Sequence, residues 1–309
     1  MQVKGSNSES SRNQGSEPDC SAARKSSAGS AGKARKRYTF RTLMGTKLEE
    51  IIAATWARVA SAKAATDVGD LSALARHHWP RGFRQRLQRV SQNGPTVIAE
   101  LKKASPSKGL IRADFDVPRL ASAIEQAGAA ALSILTDERF FQGSLHNLAL
   151  ASAATQIPCL RKDFIIDPFQ LLEARACRAD AVLLIVAALA QDDLTALCRG
   201  ARELRLDVLC EVHDAAELER ALAAGCDLIG VNNRNLHTFE VNLKTSYELV
   251  KKIPASVIKV AESGLESAND ISRLRDAGFD AFLIGELLMR AAQPGEALRE
   301  LLAKSTATA

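Results

Sequence analysis

An alternation of short apolar runs with helical patterns, repeated eight times, constrains the fold of this chain more than any other feature. The apolar runs have the length and composition of buried strands, and an amphipathic stretch follows each of them. We interpret as strands the residues 97–101, 131–135, 158–160, 181–186, 207–211, 228–231, 257–261 and 281–284. The helical stretches are 118–127, 145–154, 168–176, 192–204, 215–224, 245–253, 267–277 and 295–302. Eight strand–helix units in succession predict an α/β protein with a single (β/α)8 TIM barrel.

Glycines just past the ends of three helical stretches support this architecture. Gly128, Gly225 and Gly278 each follow a helical stretch and precede an apolar run. Glycine most readily takes the left-handed conformation that ends a helix. The alternative, a doubly wound parallel sheet, usually carries a glycine-rich nucleotide loop after an early strand. The sequence contains no G-x-G-x-x-G or Walker motif, so we favour the barrel.

The chain before the first strand divides into two parts. Residues 1–45 are rich in serine and basic residues and poor in large apolar ones, which predicts a disordered N-terminal tail. Residues 46–309 are assigned to the barrel, and 46–95 form an N-terminal helical extension before strand 1. Helical periodicity is visible over 46–64 and 81–90.

The net charge is concentrated in the tail. Residues 1–40 hold eight basic and three acidic side chains, which accounts for the whole net charge of +5. Because the remainder is neutral, we expect no nucleic-acid partner for the barrel. We favour a plain extension or a start site assigned too early. A transit peptide, which would make the location organellar instead of cytoplasmic, and a nucleic-acid contact through residues 35–37 are the alternatives.

Membrane and metal classes are disfavoured. The longest apolar run, 181–190, is well short of the roughly 20 residues that a membrane-spanning helix needs. Six cysteines and five histidines are dispersed without metal-ligand spacing. We therefore expect reduced core thiols in a cytoplasmic protein, with no membrane partner, no metal and no cofactor.

Polar residues cluster where the predicted strands end. In a barrel of this kind the active site lies at the C-terminal ends of the strands. The residues at those ends are Glu100, Lys102, Arg161, Lys162, Asp163, Glu211, Asn232, Arg234, Glu262, Ser263, Gly264, Gly285 and Glu286. Each has a structural alternative: Lys162 could pair with Asp163 at the surface, Glu211 or Ser263 could cap a helix, and Arg234 could be a solvated loop cation. Taken together they predict one rim with two lysines, several carboxylates and two glycine turns suited to phosphate.

Seven motifs, taken in order, resemble the indole-3-glycerol phosphate synthase family over about residues 46–303. They are IAELKKASPSKG at 98–109, LTDERFFQGS at 135–144, RKDFIID at 161–167, EVH at 211–213, IGVNNRNL at 229–236, AESG at 261–264 and LIGE at 283–286. The resemblance implies closure of the indole ring of 1-(2-carboxyphenylamino)-1-deoxyribulose 5-phosphate with loss of carbon dioxide and water, a step of tryptophan biosynthesis.

The resemblance also implies roles for catalytic residues. Ring closure needs a proton at the ketone oxygen, and Lys162 matches the general acid. Lys102 matches the lysine that holds the substrate carboxylate, with acid chemistry in the later dehydration as its alternative role. Glu211 matches the base and Glu100 the second carboxylate, while Asn232 belongs to the family's polar clamp. Crowded lysines should depress each other's pKa, and nearby glutamates should raise it.

The implied substrate-binding residues surround this set. Arg234 completes the polar clamp, and Ser105 and Phe141 match positions at the anthranilate end. The phosphate turn and its surroundings correspond to Glu262, Ser263, Gly264 and Gly285. Residues 105–109 then become a candidate lid over the substrate.

Two departures from the family pattern are visible. Arg178 occupies a position suited to a helix-ending glycine, and Leu287 stands where the family often has serine near the phosphate. The alternatives are another phosphate-binding barrel enzyme of the same pathway, an isomerase, and a binding module tethered by the basic tail. We expect a phosphorylated small-molecule substrate and a monomer, and leave association with other tryptophan-pathway enzymes open.

Overall fold

Eight parallel strands close into a barrel in the computed structural model, which describes residues 46–235, 238 and 240–306. Each strand pairs with the next along the chain, and the eighth pairs with the first, Val97 opposite Phe282. The strands are β1 (Val97–Leu101), β2 (Ala131–Leu135), β3 (Cys159–Lys162), β4 (Ala181–Ile185), β5 (Asp207–Val212), β6 (Leu228–Asn232), β7 (Ile258–Glu262) and β8 (Ala281–Ile284). The predicted (β/α)8 barrel is therefore confirmed.

The helices surround this barrel. They are α1 (Lys47–Ala65), α2 (Val68–Arg76), α3 (Phe83–Ser91), α4 (Val117–Gln126), α5 (Glu138–Phe141), α6 (Leu145–Ala154), α7 (Pro168–Ala176), α8 (Gln191–Glu203), α9 (Ala215–Ala223), α10 (Lys244–Leu249), α11 (Ala268–Asp276), α12 (Glu286–Arg290) and α13 (Pro294–Thr306). A two-stranded hairpin pairs Ala104–Ser105 with Gly109–Leu110. Among the described residues, no helix is long and apolar enough to cross a membrane.

Alternation along each strand produces two apolar layers. In β1, Val97, Ala99 and Leu101 pack outward against the helices, whereas Ile98 points into the barrel. The inner layer is closed from below by α3, whose Phe83 and Leu87 are fully buried against it. Large aliphatic side chains therefore fill the lower barrel, and the upper end is left for polar residues.

The strands differ from the prediction at their C-terminal ends. β3, β5, β6 and β7 each continue one or two residues past the last predicted position, to Lys162, Val212, Asn232 and Glu262. In β3, β6 and β7 the added residues are the polar Lys162, Asn232 and Glu262, where the apolar pattern stops but the backbone pairing continues. In β5 the added residue is Val212, which belongs to the outer apolar layer. Five of the predicted catalytic and substrate-binding residues thus lie on the barrel strands themselves, namely Glu100, Lys162, Glu211, Asn232 and Glu262. The other seven follow the strands.

Helix α2 is absent from the prediction. Asp67 caps it, since its carboxylate accepts hydrogen bonds from the backbone N–H groups of Gly69 and Asp70 at 2.7 and 3.1 Å. Leu71 and Ala75 pack against α7 in a small separate apolar cluster. Nine residues with two buried apolar positions are too short a pattern to recognise from periodicity.

The helix-ending conformations agree with the glycine pattern. Gly128, Gly225 and Gly278 have positive φ angles of 101°, 76° and 109°. Arg178 has a φ of 67°, so an arginine takes the left-handed conformation at the position where a glycine was expected to fit better. The described cysteines, from Cys159 to Cys226, are buried thiols, while Cys20 lies in the undescribed segment.

The predicted disorder of residues 1–45 lies outside the described residues, and the boundary at residue 46 stays a prediction. The helical extension itself is present and is tied to the barrel. Arg58 of α1 donates to Asp163 at 2.8 Å, and Lys63 lies 2.9 Å from Asp167. At the opposite end of the barrel, Arg81 holds the buried Asp180 through several hydrogen bonds, the shortest at 2.6 Å.

Candidate active site

A cavity of about 670 Å³ opens at the C-terminal ends of the strands. Every catalytic and substrate-binding residue implied by the family resemblance lines it: Glu100, Lys102, Ser105, Phe141, Lys162, Glu211, Asn232, Arg234, Glu262, Ser263, Gly264 and Gly285. Residues up to 185 positions apart in the sequence therefore share one site. Arg161, which was expected at the same rim, is fully buried behind it.

One layer of charged side chains forms the floor of the cavity. Glu100, Lys162, Glu211 and Glu262 come from β1, β3, β5 and β7, which are alternate strands of the barrel. Alternate strands contribute the four side chains of a layer in this fold. The uppermost layer is thus charged where the layers beneath it are aliphatic.

Two glycines, one on β6 and one directly after β8, make room for this layer. A Cβ on Gly230 of β6 would lie 2.0 Å from Oε1 of Glu262. A Cβ on Gly285, directly after β8, would lie 2.6 Å from Oε1 of Glu100. The sequence shows Gly230 inside a motif but not its neighbour on β7, so its part in the site was missed.

The charged groups are in direct contact. Lys162 Nζ lies 3.1 Å from Glu211 Oε2 and 3.5 Å from Glu262 Oε2. Lys102 Nζ lies 2.7 Å from Glu100 Oε1. Opposite charges at these separations in a partly dehydrated site interact more strongly than at the surface.

The pKa values follow from burial and these contacts. Burial by itself would lower the pKa of Lys162, but Glu211, Glu262 and Glu100 raise it well above its usual value. The carboxylates therefore outweigh any depression by the neighbouring lysine. Burial raises the pKa of Glu262 well above its usual range, and the negative charges of Glu211 and Glu100 add to the shift against the opposing Lys162.

Glu211 behaves in the opposite way to Glu262. Burial would raise its pKa, but Lys162, His213 and Asn232 together hold it well below its usual range. Asn232 Nδ2 donates to Glu211 Oε1 at 3.0 Å, and Asn232 Oδ1 accepts from the backbone N–H of Arg234, also at 3.0 Å. Asn232 thus connects the ionised carboxylate to the loop that carries Arg234.

A buried network behind Lys162 fixes the end of β3. Arg161, fully buried, donates to Asp163 Oδ2 at 3.0 Å and to the carbonyl of Gln170 at 2.6 Å. Asp163 also accepts from Thr136, Arg58 and the backbone N–H of Phe164, at 2.7, 2.8 and 2.8 Å. Asp163 is therefore an internal partner of Arg161, and the alternative of a surface Lys162–Asp163 pair is wrong, because Lys162 pairs with Glu211 instead.

The glycine turns lie where the sequence predicts them. Ser263 and Gly264 have consecutive positive φ angles of 65° and 76°, and a Cβ on Gly264 would lie 2.4 Å from Val241 Cγ1. The cap of α11 is Ser267 and not Ser263, so Ser263 does not serve as a helix cap. Leu287 also lines the cavity and presents an apolar side chain there.

An apolar wall and the hairpin bound the other side of the cavity. The rings of Phe141 and Phe164 lie 6.3 Å apart, centroid to centroid, a separation typical of packed aromatic pairs. Ser105 and Lys108 belong to the hairpin segment, and Lys108 Nζ is 3.9 Å from Glu286 Oε1 across the mouth. The cavity above the charged floor is therefore lined by an aromatic pair and by the hairpin, whose Lys108 reaches the residue after Gly285.

The model of the family described as indole-3-glycerol phosphate synthase matches residues 48–301. The chain belongs to this family. A relative of that name from Koribacter versatilis (strain Ellin345) is 56% identical over 84% of this chain and 100% of its own length. Another of that name, from Rhizorhabdus wittichii, is 50% identical over 84% of this chain and 99% of its own. The crystal structure of KGPDC from Streptococcus mutans has a TM-score of 0.54 at 12% identity, covering 70% of this chain and 99% of that one, and shares the fold alone.

Membership of the indole-3-glycerol phosphate synthase family agrees with the resemblance drawn from the seven motifs. The same motifs supply the cavity lining described above. Two contacts near the site were not predicted from the motifs, namely that of Arg58 with Asp163 and that of His213 with Glu211. Arg58 lies outside all seven, and His213 is inside one with no sign of which neighbours it meets.

Proposed function

We propose that this protein is an indole-3-glycerol-phosphate synthase. It would close the indole ring of 1-(2-carboxyphenylamino)-1-deoxyribulose 5-phosphate with loss of carbon dioxide and water, in tryptophan biosynthesis. The observation that carries the proposal beyond family membership is the charged layer of Glu100, Lys162, Glu211 and Glu262. It supplies a protonated lysine and an ionised carboxylate 3.1 Å apart at the floor of one cavity.

Lys162 is the general acid of this proposal. Attack of the aromatic carbon on the ketone places negative charge on the ketone oxygen, and a positioned ammonium can protonate it. The raised pKa of Lys162 keeps the ammonium protonated until substrate rearranges its contacts with Glu211 and Glu262. Its position at the end of β3, backed by the Arg161 network, limits the directions in which it can donate.

Glu211 is the base. Loss of the ring proton and of water needs a carboxylate that is ionised at the start, and the lowered pKa of Glu211 meets that need. Asn232 donates to Oε1 of Glu211. The other oxygen, Oε2, contacts the ammonium of Lys162. Lys102, paired with Glu100, is placed to hold the substrate carboxylate.

The two ends of the substrate fit two sides of the cavity. Phe141 and Ser105 lie on the side that would take the anthranilate ring, and Ser263, Gly264 and Gly285 form turns that would take the phosphate. Glu262 and Arg234 line the same cavity and would contact the sugar hydroxyls. Backbone N–H groups can bind phosphate at these turns without the serine hydroxyl that Leu287 replaces.

The remaining expectations stay proposals. A phosphorylated small molecule is the proposed ligand, and the monomeric state, the cytoplasmic location and pathway associations remain predictions. The isomerase alternative is not favoured by any of the relatives, and the tethered-module alternative depends on residues 1–40, which the structure does not describe.

Turnover of the synthetic substrate tests the proposal. Purified protein should produce indole-3-glycerol phosphate, which is followed by the fluorescence of the indole ring as it forms. Lys162→Met serves as the inactive control, since it keeps the length of the side chain without the proton. A wild-type preparation that is folded but gives no indole signal at high enzyme concentration would rule out the proposed activity.

A further inference from the structure

His213 connects Glu211 to a carboxylate outside the main cavity. Glu217 Oε2 accepts a hydrogen bond from the backbone N–H of His213 at 2.8 Å and lies 3.0 Å from its Nδ1. The opposite ring nitrogen, Nε2, lies 3.4 Å from Glu211 Oε1. This Nε2 is buried and makes no hydrogen bond among the described residues, so its contact with Glu211 is one of charge. The imidazole is therefore clamped on one side and faces Glu211 on the other.

We propose that His213, held by Glu217, is a positioning residue that fixes and keeps ionised the carboxylate of Glu211. The inference rests on the proposed function, in which Glu211 is the base. Asn232 and His213 both meet Oε1 of Glu211, from β6 and from the end of β5. The two contacts define the rotamer of the carboxylate, and Oε2 is left pointing toward Lys162.

The geometry favours a charged imidazole. An ionised carboxylate only accepts hydrogen bonds, and neutral imidazole has a single N–H donor. Because each ring nitrogen of His213 faces a carboxylate oxygen, both nitrogens carry hydrogen only in the imidazolium form. In agreement with this, Glu211 and Glu217 raise the pKa of His213 to about 10 against the lowering effect of burial.

Four other ionisable side chains lie near the imidazole of His213. Asp214, Arg234 and Glu240 line a small cavity of about 360 Å³ beside His213, and Glu262 lies close enough for its pKa to be affected by His213. Among the described residues, the carboxylates of Glu217 and Glu211 lie directly against the ring, whereas Lys162 contacts Glu211 and Arg234 lines the cavity beside it. The surroundings as a whole therefore favour the imidazolium.

The positive charge of His213 would keep Glu211 ionised during turnover. Glu211 has two cations beside it at the start, Lys162 and His213. When Lys162 donates its proton to the ketone oxygen it becomes neutral, and the support that it gives to the ionised Glu211 is lost. His213 is then the cation that remains, so Glu211 stays ionised for the later removal of the ring proton.

Two variants and one control test this role through the pH profile. Glu217→Gln keeps an oxygen acceptor for His213 but removes the charge, and His213→Asn removes the imidazolium. Each should move the acidic limb of kcat upward by about one pH unit and lower kcat about 10- to 100-fold with little change in KM. Glu219→Gln, an exposed position on the same helix α9, should leave the profile unchanged. Profiles of both variants that coincide with that of the wild type would overturn the proposal.

A spectroscopic measurement separates this inference from the proposed function. In ¹⁵N-detected NMR of the full chain, both ring nitrogens of His213 should remain protonated at pH 8, and Glu217→Gln should lower the pH at which one is lost. A neutral His213 ring in folded wild-type protein at that pH would overturn the inference whatever the activity. A charged ring in a protein that does not turn over the substrate would instead contradict the proposed function.

Discussion

Gly230 and Glu262 lie on neighbouring strands, and the missing side chain of Gly230 leaves the space that the carboxylate of Glu262 fills. The distance from a Cβ at residue 230 to Glu262 Oε1 would be only 2.0 Å, and Glu262 is itself almost fully buried. A charged layer in the barrel therefore depends on a residue with no functional group. Neither residue could move far, because Leu209 and Lys162 close the space around them.

Gly230→Ala should damage the site more than the fold. The added methyl group displaces Glu262 and its contact with Lys162, so we expect a kcat at least about tenfold lower and a stability loss of about 1–3 kcal/mol, typical of overpacking. Gly200→Ala in α8 is the control, because its methyl group would meet only the flexible end of Leu171 within 4 Å. Kinetics and urea unfolding measure the two effects. An alanine variant with wild-type kcat would show that the Glu262 side chain can move aside without loss of function.

Glu262→Gln should make the stability of the protein less dependent on pH. The pKa of Glu262 is raised in the folded protein, so folding favours its protonated form. That contribution is fully present below the unfolded-state pKa and is lost as the pH rises through the raised folded-state value. Urea unfolding from acid to alkaline pH should show the wild type losing stability across that window and the amide variant losing less. The exposed Glu266→Gln should follow the wild type.

How far the sequence predicts this molecule can be judged from particular residues. The strands and helices were recognisable because each buries an apolar face with a regular period, and the site residues because they interrupt that pattern at strand ends. Glu100 and Glu262 illustrate this, since each directly follows aliphatic residues in its strand.

What the sequence could not show is contact across the barrel. The partner of Lys162 is Glu211, 49 positions away, and not the adjacent Asp163. Likewise the contact between Arg58 and Asp163 spans 105 positions. Such pairs depend on strand order, tilt and side-chain rotamers, which periodicity does not contain.

Arg178→Gly should stabilise the protein. Arg178 has a φ of 67° after α7, a conformation that costs an L-residue about 1–2 kcal/mol. Glycine removes this cost but increases the entropy of the unfolded chain by up to about 1 kcal/mol, so the net gain should be about 0.5–1 kcal/mol. Gly225→Ala, at a φ of 76° after α9, should destabilise by a similar amount. Thermal unfolding measures both, and a less stable Arg178→Gly protein would mean that the arginine side chain makes compensating contacts.

Lys162→Met and Glu211→Gln should each abolish most of the activity for different reasons. The first removes the proposed acid and the second the proposed base, and each such group typically contributes about 100- to 10,000-fold to the rate. Their effects should not multiply in the double variant, because the two groups act as one hydrogen-bonded pair. Single-turnover kinetics, with circular dichroism to verify folding, makes the comparison. Either single variant within twofold of the wild type would refute its assigned role.

Arg58→Met should weaken the link between the N-terminal extension and the active site. Arg58 of α1 donates to the fully buried Asp163 at 2.8 Å, and Asp163 in turn holds Arg161 beside Lys162, the proposed acid. Removing one donor from a buried carboxylate costs about 1–3 kcal/mol, and the looser end of β3 should also lower kcat. Arg199→Met, which breaks the exposed pair with Glu203, should change stability by less than about 0.5 kcal/mol. If urea unfolding and kcat respond alike in the two variants, α1 is only a cover for the barrel. If Arg58→Met alone lowers both, the extension helps to hold Lys162 in place.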